Sequence, residues 1–221
     1  MKNVVITGAN RGIGLEFAKI YSKENMVFAI CRKPSPELQK LDNVKIISDI
    51  DVGEFDSIKN AISQCPARID ILINNAGILK RVSFEEIGDS IEDISEQFKI
   101  NSLAPLLVTF AAKDKLSSGS KIALITSRMG SIGDNGSGTS YGYRMSKSAL
   151  NAAGKSLAID LKDQGISVAI LHPGWVKTEM TNKSGLLEPE EAAQSLTNRI
   201  EELNLENSGT FWHSSGEILE W

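Results

Sequence analysis

Cysteine is scarce in this chain of 221 residues, with two copies, Cys31 and Cys65. They form no Cys-x-x-Cys pair and no histidine cluster stands beside them, which excludes a disulfide framework and a zinc centre. Both thiols are expected to be buried or half-buried. Long apolar runs are also missing: nothing approaches the roughly 20 consecutive apolar residues that a membrane span needs. Met1-Lys2-Asn3 leads straight into Val4-Val5-Ile6-Thr7 without the charged-then-apolar order of a leader, and a reducing cytoplasm is the expected setting. Neither sign of charge dominates, since 24 Lys and Arg stand against 28 Asp and Glu. The resulting charge of −4 and pI near 5.4 lack the broad basic field of a general nucleic-acid or anionic-membrane binder, so neither is expected as a partner. Repeats, low-complexity tracts and linkers are absent. Hydrophobic residues at 41% and charged residues at 24% exclude disorder, and residues 1–221 read as a single domain with a substantial core.

What is present is an alternation. Val4-Val5-Ile6 stops at Thr7-Gly8, and helical spacing comes next at Leu15, Ala18 and Ile20. Val27–Ile30 reads as a second strand ending at Cys31-Arg32, with Pro34 and Pro36 as breakers of regular structure just beyond it. Val44–Ile47 is a third strand. Phe55, Ile58, Ala61 and Ile62 are spaced as a helix, and Ile69–Ile73 forms a fourth strand ending at Asn74-Asn75-Ala76-Gly77. Residues 89–115 predict one long helix bent at Pro105, which cannot donate to the carbonyl of Asn101. Ile122–Ile125 makes a fifth strand, and a loop carrying Gly130, Gly133, Gly136, Gly138 and Gly142 leads into a helix running to about Lys162. Ile166–Leu171 is a sixth strand, Glu190–Leu203 a helix, and Thr210–Trp212 a seventh strand. Strands that alternate with helices and are apolar on both faces imply parallel βαβ units, so the expected fold is α/β, a doubly wound sheet of about seven parallel strands covered by helices on both faces.

Three stretches carry chemistry. Thr7-Gly8-Ala9-Asn10-Arg11-Gly12-Ile13-Gly14 joins a strand to a helix, where backbone N–H groups can cradle a phosphate, although its spacing departs from G-x-G-x-x-G and a tight structural turn is the plain alternative. At the end of the second strand an NAD site carries Asp or Glu for the ribose 2′-hydroxyl. Cys31-Arg32-Lys33 carries positive charge instead, and Arg32 with Arg11 suits the 2′-phosphate of NADP, unless both are simply solvated surface residues. In Tyr141-Gly-Tyr143-Arg-Met-Ser-Lys147, Tyr143 and Lys147 stand at i and i+4 on one helix face. Such pairs are common on solvated helices, but an ammonium beside a phenol favours the phenolate and so draws the hydroxyl toward acid–base work near neutral pH. Tyr141 is the rival phenol; its i+4 residue is Met145, which has no charge.

Taken in order, Thr7-Gly-x-x-x-Gly12-x-Gly14, Asn74-Asn-Ala-Gly77, Asn101, Ser127, Tyr143-x-x-x-Lys147 and Pro173-Gly174 resemble the motifs of the short-chain dehydrogenase/reductase family along the whole chain. His172–Met180 and Gly216–Trp221 resemble its C-factor and sniffer-type carbonyl reductase branch. The resemblance implies a Rossmann fold and an NADP-dependent oxidoreductase that interconverts a small-molecule carbonyl and an alcohol. Two alternatives are the same enzyme using NAD and a dinucleotide-binding signalling protein with incidental turnover. Tyr143 would be the general acid or base, Lys147 would lower its pKa and hold the nicotinamide ribose, Ser127 would bind the substrate oxygen, and Asn101 would hold a proton-relaying water. Gly8, Asn10, Arg11, Gly12, Ile13, Gly14, Arg32, Asp51, Val52, Asn75, Ala76, Gly77, Pro173, Gly174, Val176 and Thr178 would line the cofactor site, with no metal. A homodimer or homotetramer through the long helices is implied too. Ser127 and Tyr143 stand further apart than is usual in the family, so Ser131 competes for the role of substrate donor. The short segment Thr181–Pro189 suggests an open pocket, which Met129, Trp175 and Met180 either line or merely pack beneath. His172 and His213 pair with no nucleophile and read as structural.

Overall fold

Short runs of aliphatic residues, buried on both faces, become the strands of one sheet. The computed structural model describes Met1–Trp221 and has seven: β1 (Asn3–Thr7), β2 (Met26–Ile30), β3 (Val44–Ile47), β4 (Ile71–Asn74), β5 (Lys121–Ile125), β6 (Ser167–His172) and β7 (Phe211–His213). All pair in parallel, in the order β3-β2-β1-β4-β5-β6-β7. The winding reverses between β1 and β4, and a crevice opens beyond the carboxyl ends of the strands at such a switch point.

The helices are α1 (Gly12–Tyr21), α2 (Pro36–Gln39), α3 (Phe55–Ser63), α4 (Ile91–Phe98), α5 (Ala104–Ala111), α6 (Tyr141–Asp160) and α7 (Pro189–Glu202). Two cores result, one on each face. Phe17, Ala18 and Tyr21 of α1 meet Leu196 and Ile200 of α7 over Val4, Ile6 and Ile73. Ile58 and Ile62 of α3, Val108 of α5 and Leu150 of α6 cover Val5, Leu72, Leu124 and Ile170. Each such side chain, fully buried, contributes about 1.5–3 kcal/mol, so alternate residues of every strand hold opposite helix layers.

Two expectations are corrected. Pro36 does not end structure but begins α2: Ser35 accepts the Leu38 N–H at 3.2 Å as an N-cap, and proline's missing donor is no loss at the first position. The helix expected over 89–115 is in two parts, α4 and α5, joined by a π-turn at Lys99–Leu103. The turn is widened just before Pro105, with the Ala104 N–H reaching back five residues to Lys99, while the Asn101 carbonyl still lacks a donor from Pro105. Strand and helix ends otherwise lie within about two residues of expectation, and α6 is followed by a tight turn and by Gly165 at φ 72°, which stops it.

Candidate active site

Thr7 ends β1 and organises the first wall of the crevice. Its hydroxyl accepts the N–H groups of Asn75 and Ala76, both at 3.1 Å, and Asn75 donates back to the carbonyls of Thr7 at 3.0 Å and Gly8 at 3.2 Å. A Cβ on Gly14 would lie 2.2 Å from the Gly8 carbonyl oxygen, so α1 approaches the turn this closely only because residue 14 has no side chain. Gly12 adopts φ +53°, and a Cβ there would lie 3.4 Å from the Thr178 methyl. No side chain caps α1 and no acid lies in its first turn, which leaves its N–H groups and positive dipole end for an anion. These features fit a bound phosphate.

Beyond β2, Arg32 is exposed, and its carbonyl accepts from Asp49 at 3.0 Å. Arg11 does not converge on it. Its guanidinium is paired with Glu179 across the crevice, a residue that sequence reasoning did not single out because the two are 168 positions apart. Asp51 caps its own turn by accepting from Gly53 at 2.8 Å, and Val52 is half-buried beside it. Asn10 is half-buried on the glycine turn and Ile13 partly buried behind it.

The second wall is built from helices. Asn101, fully buried in the π-turn, accepts from the Ile78 N–H at 2.8 Å and donates to the Ile78 carbonyl at 2.9 Å and to Ser146 at 3.0 Å. Ser146 in turn donates to the Tyr143 carbonyl at 2.9 Å. It adjoins Lys147 in the motif yet was missed, because nothing local shows that its partner comes from another helix. Gly77 stands where a Cβ would lie 3.2 Å from Asn101 Oδ1 and 3.7 Å from Lys147 Nζ, which puts all three in one small space.

Ser127 caps a tight turn, Arg128–Gly130, by accepting the Met129 N–H at 3.1 Å. Ser131 is buried as well, but its hydroxyl accepts from Asp134 at 3.1 Å and lines a different cavity. Ser127, not Ser131, is the serine that lies near enough to the Tyr143 phenol to draw its pKa down. Met129 is partly buried behind it, whereas Trp175 and Met180 are exposed at 50% and 42% near the crevice mouth.

Lys147 lies on the face of α6 that carries Tyr143, but the expected electrostatics are reversed. Its Nζ donates to the Ile125 carbonyl at 2.9 Å and stands 5.8 Å from the Tyr143 ring centroid. Burial, not the ammonium, governs the phenol: it pushes Tyr143 up to about 12, against a smaller downward pull from the hydrogen bond with Ser127. Burial also pushes the Lys147 ammonium down to about 8. The phenol therefore holds its proton at neutral pH and can donate it.

The third wall continues from β6. Pro173 and Gly174 turn the chain, Gly174 at φ +89°; Val176 is buried and bridges Leu187, and Thr178 caps the turn Glu179–Thr181 while its backbone N–H donates to Thr181 at 3.1 Å. His172 stacks edge-on against His213 at 5.1 Å, and burial pushes its imidazole down to about 3, with lesser contributions from His213 and Arg128. It stays neutral and packs, as expected. No helix is long and apolar enough to cross a membrane.

A family model described as short chain dehydrogenase matches residues 2–188. The 1-hydroxy-2-glutathionyl-2-methyl-3-butene dehydrogenase of Rhodococcus sp. (strain AD45) is 34% identical over all of both chains. C-signal of Myxococcus xanthus is 39% identical, covering 73% of this chain and 98% of its own. Among solved structures, NADPH-bound carbonyl reductase from chicken fatty liver superposes at a TM-score of 0.88 with 31% identity, over 100% of this chain and 99% of that one. Carbonyl reductase Sniffer of D. melanogaster superposes at 0.91 with 29% identity over the whole of both.

Proposed function

The chain belongs to the short chain dehydrogenase family, and from that premise we propose that it is an NADPH-dependent oxidoreductase reducing a small-molecule carbonyl to an alcohol, or running the reverse. The observation that carries this reading is the buried Tyr143 phenol, held in its protonated form by burial with Ser127 beside it. Tyr143 gives its proton to the carbonyl oxygen, and Ser127 donates a fixed hydrogen bond to the same oxygen as charge develops on it. When bound, the nicotinamide would supply the hydride. Lys147, with a pKa near 8, holds the ribose hydroxyls and passes a proton toward the phenol; Asn101 serves that relay through its main-chain carbonyl, which Pro105 cannot satisfy.

The residues that would hold the cofactor fit it. Gly8, Asn10, Gly12, Ile13 and Gly14 would offer the pyrophosphate an uncapped helix end, Arg32 would meet the 2′-phosphate without Arg11, which is paired with Glu179, and Asp51 with Val52 would flank the adenine. Asn75, Ala76 and Gly77 would lie along the ribose, while Pro173, Gly174, Val176 and Thr178 would hold the carboxamide end. Arginine where an NAD site carries an acid supports NADP over NAD, and the NADPH-bound chicken carbonyl reductase supports it too. Exposed Leu103, Leu106 and Phe110 on one side of the helix pair support a second copy of the chain as a further partner. The absence of any membrane-crossing helix is consistent with a cytoplasmic setting.

The test is purified protein with NADPH and a panel of aldehydes and ketones. Tyr143→Phe should lower kcat by about 10²–10⁴ with cofactor binding intact; parental turnover in that variant refutes the assignment of the acid. A second reading, a dinucleotide-binding signalling protein, draws support from the relative named C-signal. Tight NADPH binding without turnover on any carbonyl, together with a recoverable partner protein, would favour it.

A further inference from the structure

The hydroxyl of Ser127 is aimed by a turn whose Gly130 end is tied to α6, where Ser148 and Asn151 donate to the Gly130 carbonyl at 2.8 and 3.3 Å, while its Arg128 end is held by ion pairs. Ser127 accepts from Met129 at 3.1 Å and Gly130 at 2.8 Å, and the chain then runs into residues 132–139, all exposed. On the far side this loop is held by Arg144, which donates to Gly138 at 3.0 Å and Ser137 at 2.8 Å. On the near side the support comes from a distant segment, residues 214–221. The Gly133 N–H donates to the Trp221 carbonyl at 2.9 Å, Trp221 packs on Phe211 of β7 at 5.6 Å, and Leu219, buried, donates its N–H to Phe211 at 2.8 Å.

Arg128, the residue after Ser127, joins the two. Its Nε donates to Asp134 on the loop at 3.0 Å, and its terminal nitrogen to Glu217 on the distant segment at 3.1 Å. Between them lies a cavity of about 280 Å³ lined by Arg128, Ser131, Asp134, Glu217, Leu219 and Glu220. Each ion pair is half-exposed and adds little stability alone. The two carboxylates, however, come from two different segments, the loop and residues 214–221, and together hold the guanidinium next to the turn that starts at Ser127.

We propose that Arg128 is a positioning residue, which, through Asp134 and Glu217, couples the segment 214–221 to the turn that aims Ser127 at Tyr143. The inference rests on the reading of Ser127 as substrate donor, and one experiment separates the two. NADPH-dependent reduction of 4-nitrobenzaldehyde is measured in the parent, Ser127→Ala, Arg128→Gln and the double variant. Arg128→Gln should lower kcat on the order of tenfold, as for a misplaced hydrogen-bond donor, leave the KM for NADPH unchanged, and cost nothing further in the Ser127→Ala background. Arg128→Lys should recover part of the loss. Equal losses in both backgrounds, or none in the parent background, overturn the positioning role while Ser127 stands. A Ser127→Ala variant as fast as the parent overturns both. A readout independent of turnover is amide exchange at Met129 and Gly130, which should quicken in Arg128→Gln and Glu217→Gln with the β5 and β6 amides unchanged; unaltered exchange at the turn refutes the proposal, and Glu217→Gln serves if Arg128→Gln does not fold.

Discussion

Replacing Lys147 by Met should remove a pH dependence of folding that this one side chain creates. Lys147 is 4% exposed and makes a single hydrogen bond, to Ile125, so its ammonium is held in the fold with little compensation, and its pKa falls from 10.5 to about 8. The sign comes from proton counting. Between those values the unfolded chain binds more protons than the folded one, so stability rises with pH across the window. The depression corresponds to about 3 kcal/mol over the whole window, of which about 2 kcal/mol falls between roughly pH 7.5 and pH 10. Other groups titrate there too. Tyr143, raised to about 12, contributes stability present below pH 10 and lost as pH climbs through 12, and Cys65 is raised by burial to about 11. These are common to parent and variant, so the informative quantity is the difference between them. Urea unfolding monitored by the fluorescence of Trp175, Trp212 and Trp221 should show the parent gaining about 2 kcal/mol on Lys147→Met between the two pH values. A difference that stays constant with pH would refute the burial of a charged ammonium as the cause.

The geometry fixes three further outcomes. Arg32→Gln should weaken NADPH binding several-fold and leave NADH binding nearly unchanged, with a shallower salt dependence for NADPH; nicotinamide fluorescence titration reads both, and equal losses for the two cofactors would count against the 2′-phosphate assignment. Gly14→Ala places a methyl 2.2 Å from the Gly8 carbonyl, so α1 must move; a loss of about 1–3 kcal/mol in unfolding free energy together with lost cofactor affinity is expected, and wild-type behaviour in both would contradict the close packing. Asn101→Ala leaves the Ile78 N–H and carbonyl without their buried partner and should destabilise by about 1–3 kcal/mol, and Asn101→Asp, which keeps the acceptor for the N–H but sets an oxygen and a buried charge against the Ile78 carbonyl, should lose at least as much; denaturant midpoints decide.

What could be read from the sequence and what could not divide along physical lines. Strands buried on both faces leave a local signature, so seven strands, their parallel pairing and the glycine turn were all legible in the order of residues alone. The switch point between β1 and β4 then brings Gly12, Asn75 and Thr178 to one crevice, as the order of motifs implied. Relations between distant residues left no local trace. That Arg11 pairs with Glu179, or that Asn101 spends its amide on Ile78 and Ser146, depends on how helices pack. The serine shows the difference most clearly. Spacing alone left Ser127 and Ser131 in competition, because a long loop loosens any register argued from sequence. The structure separates them by what each hydroxyl already holds: Ser131 is committed to Asp134, while Ser127, although it caps its own turn, still faces Tyr143. The tyrosine and lysine carry the same lesson in their chemistry. Their i,i+4 spacing was correctly read as proximity, yet proximity did not set the phenol's pKa, because both groups lie deep enough for desolvation to outweigh an ammonium 5.8 Å from the ring. A buried phenol that keeps its proton can donate it, which is what the proposed role of Tyr143 as general acid requires.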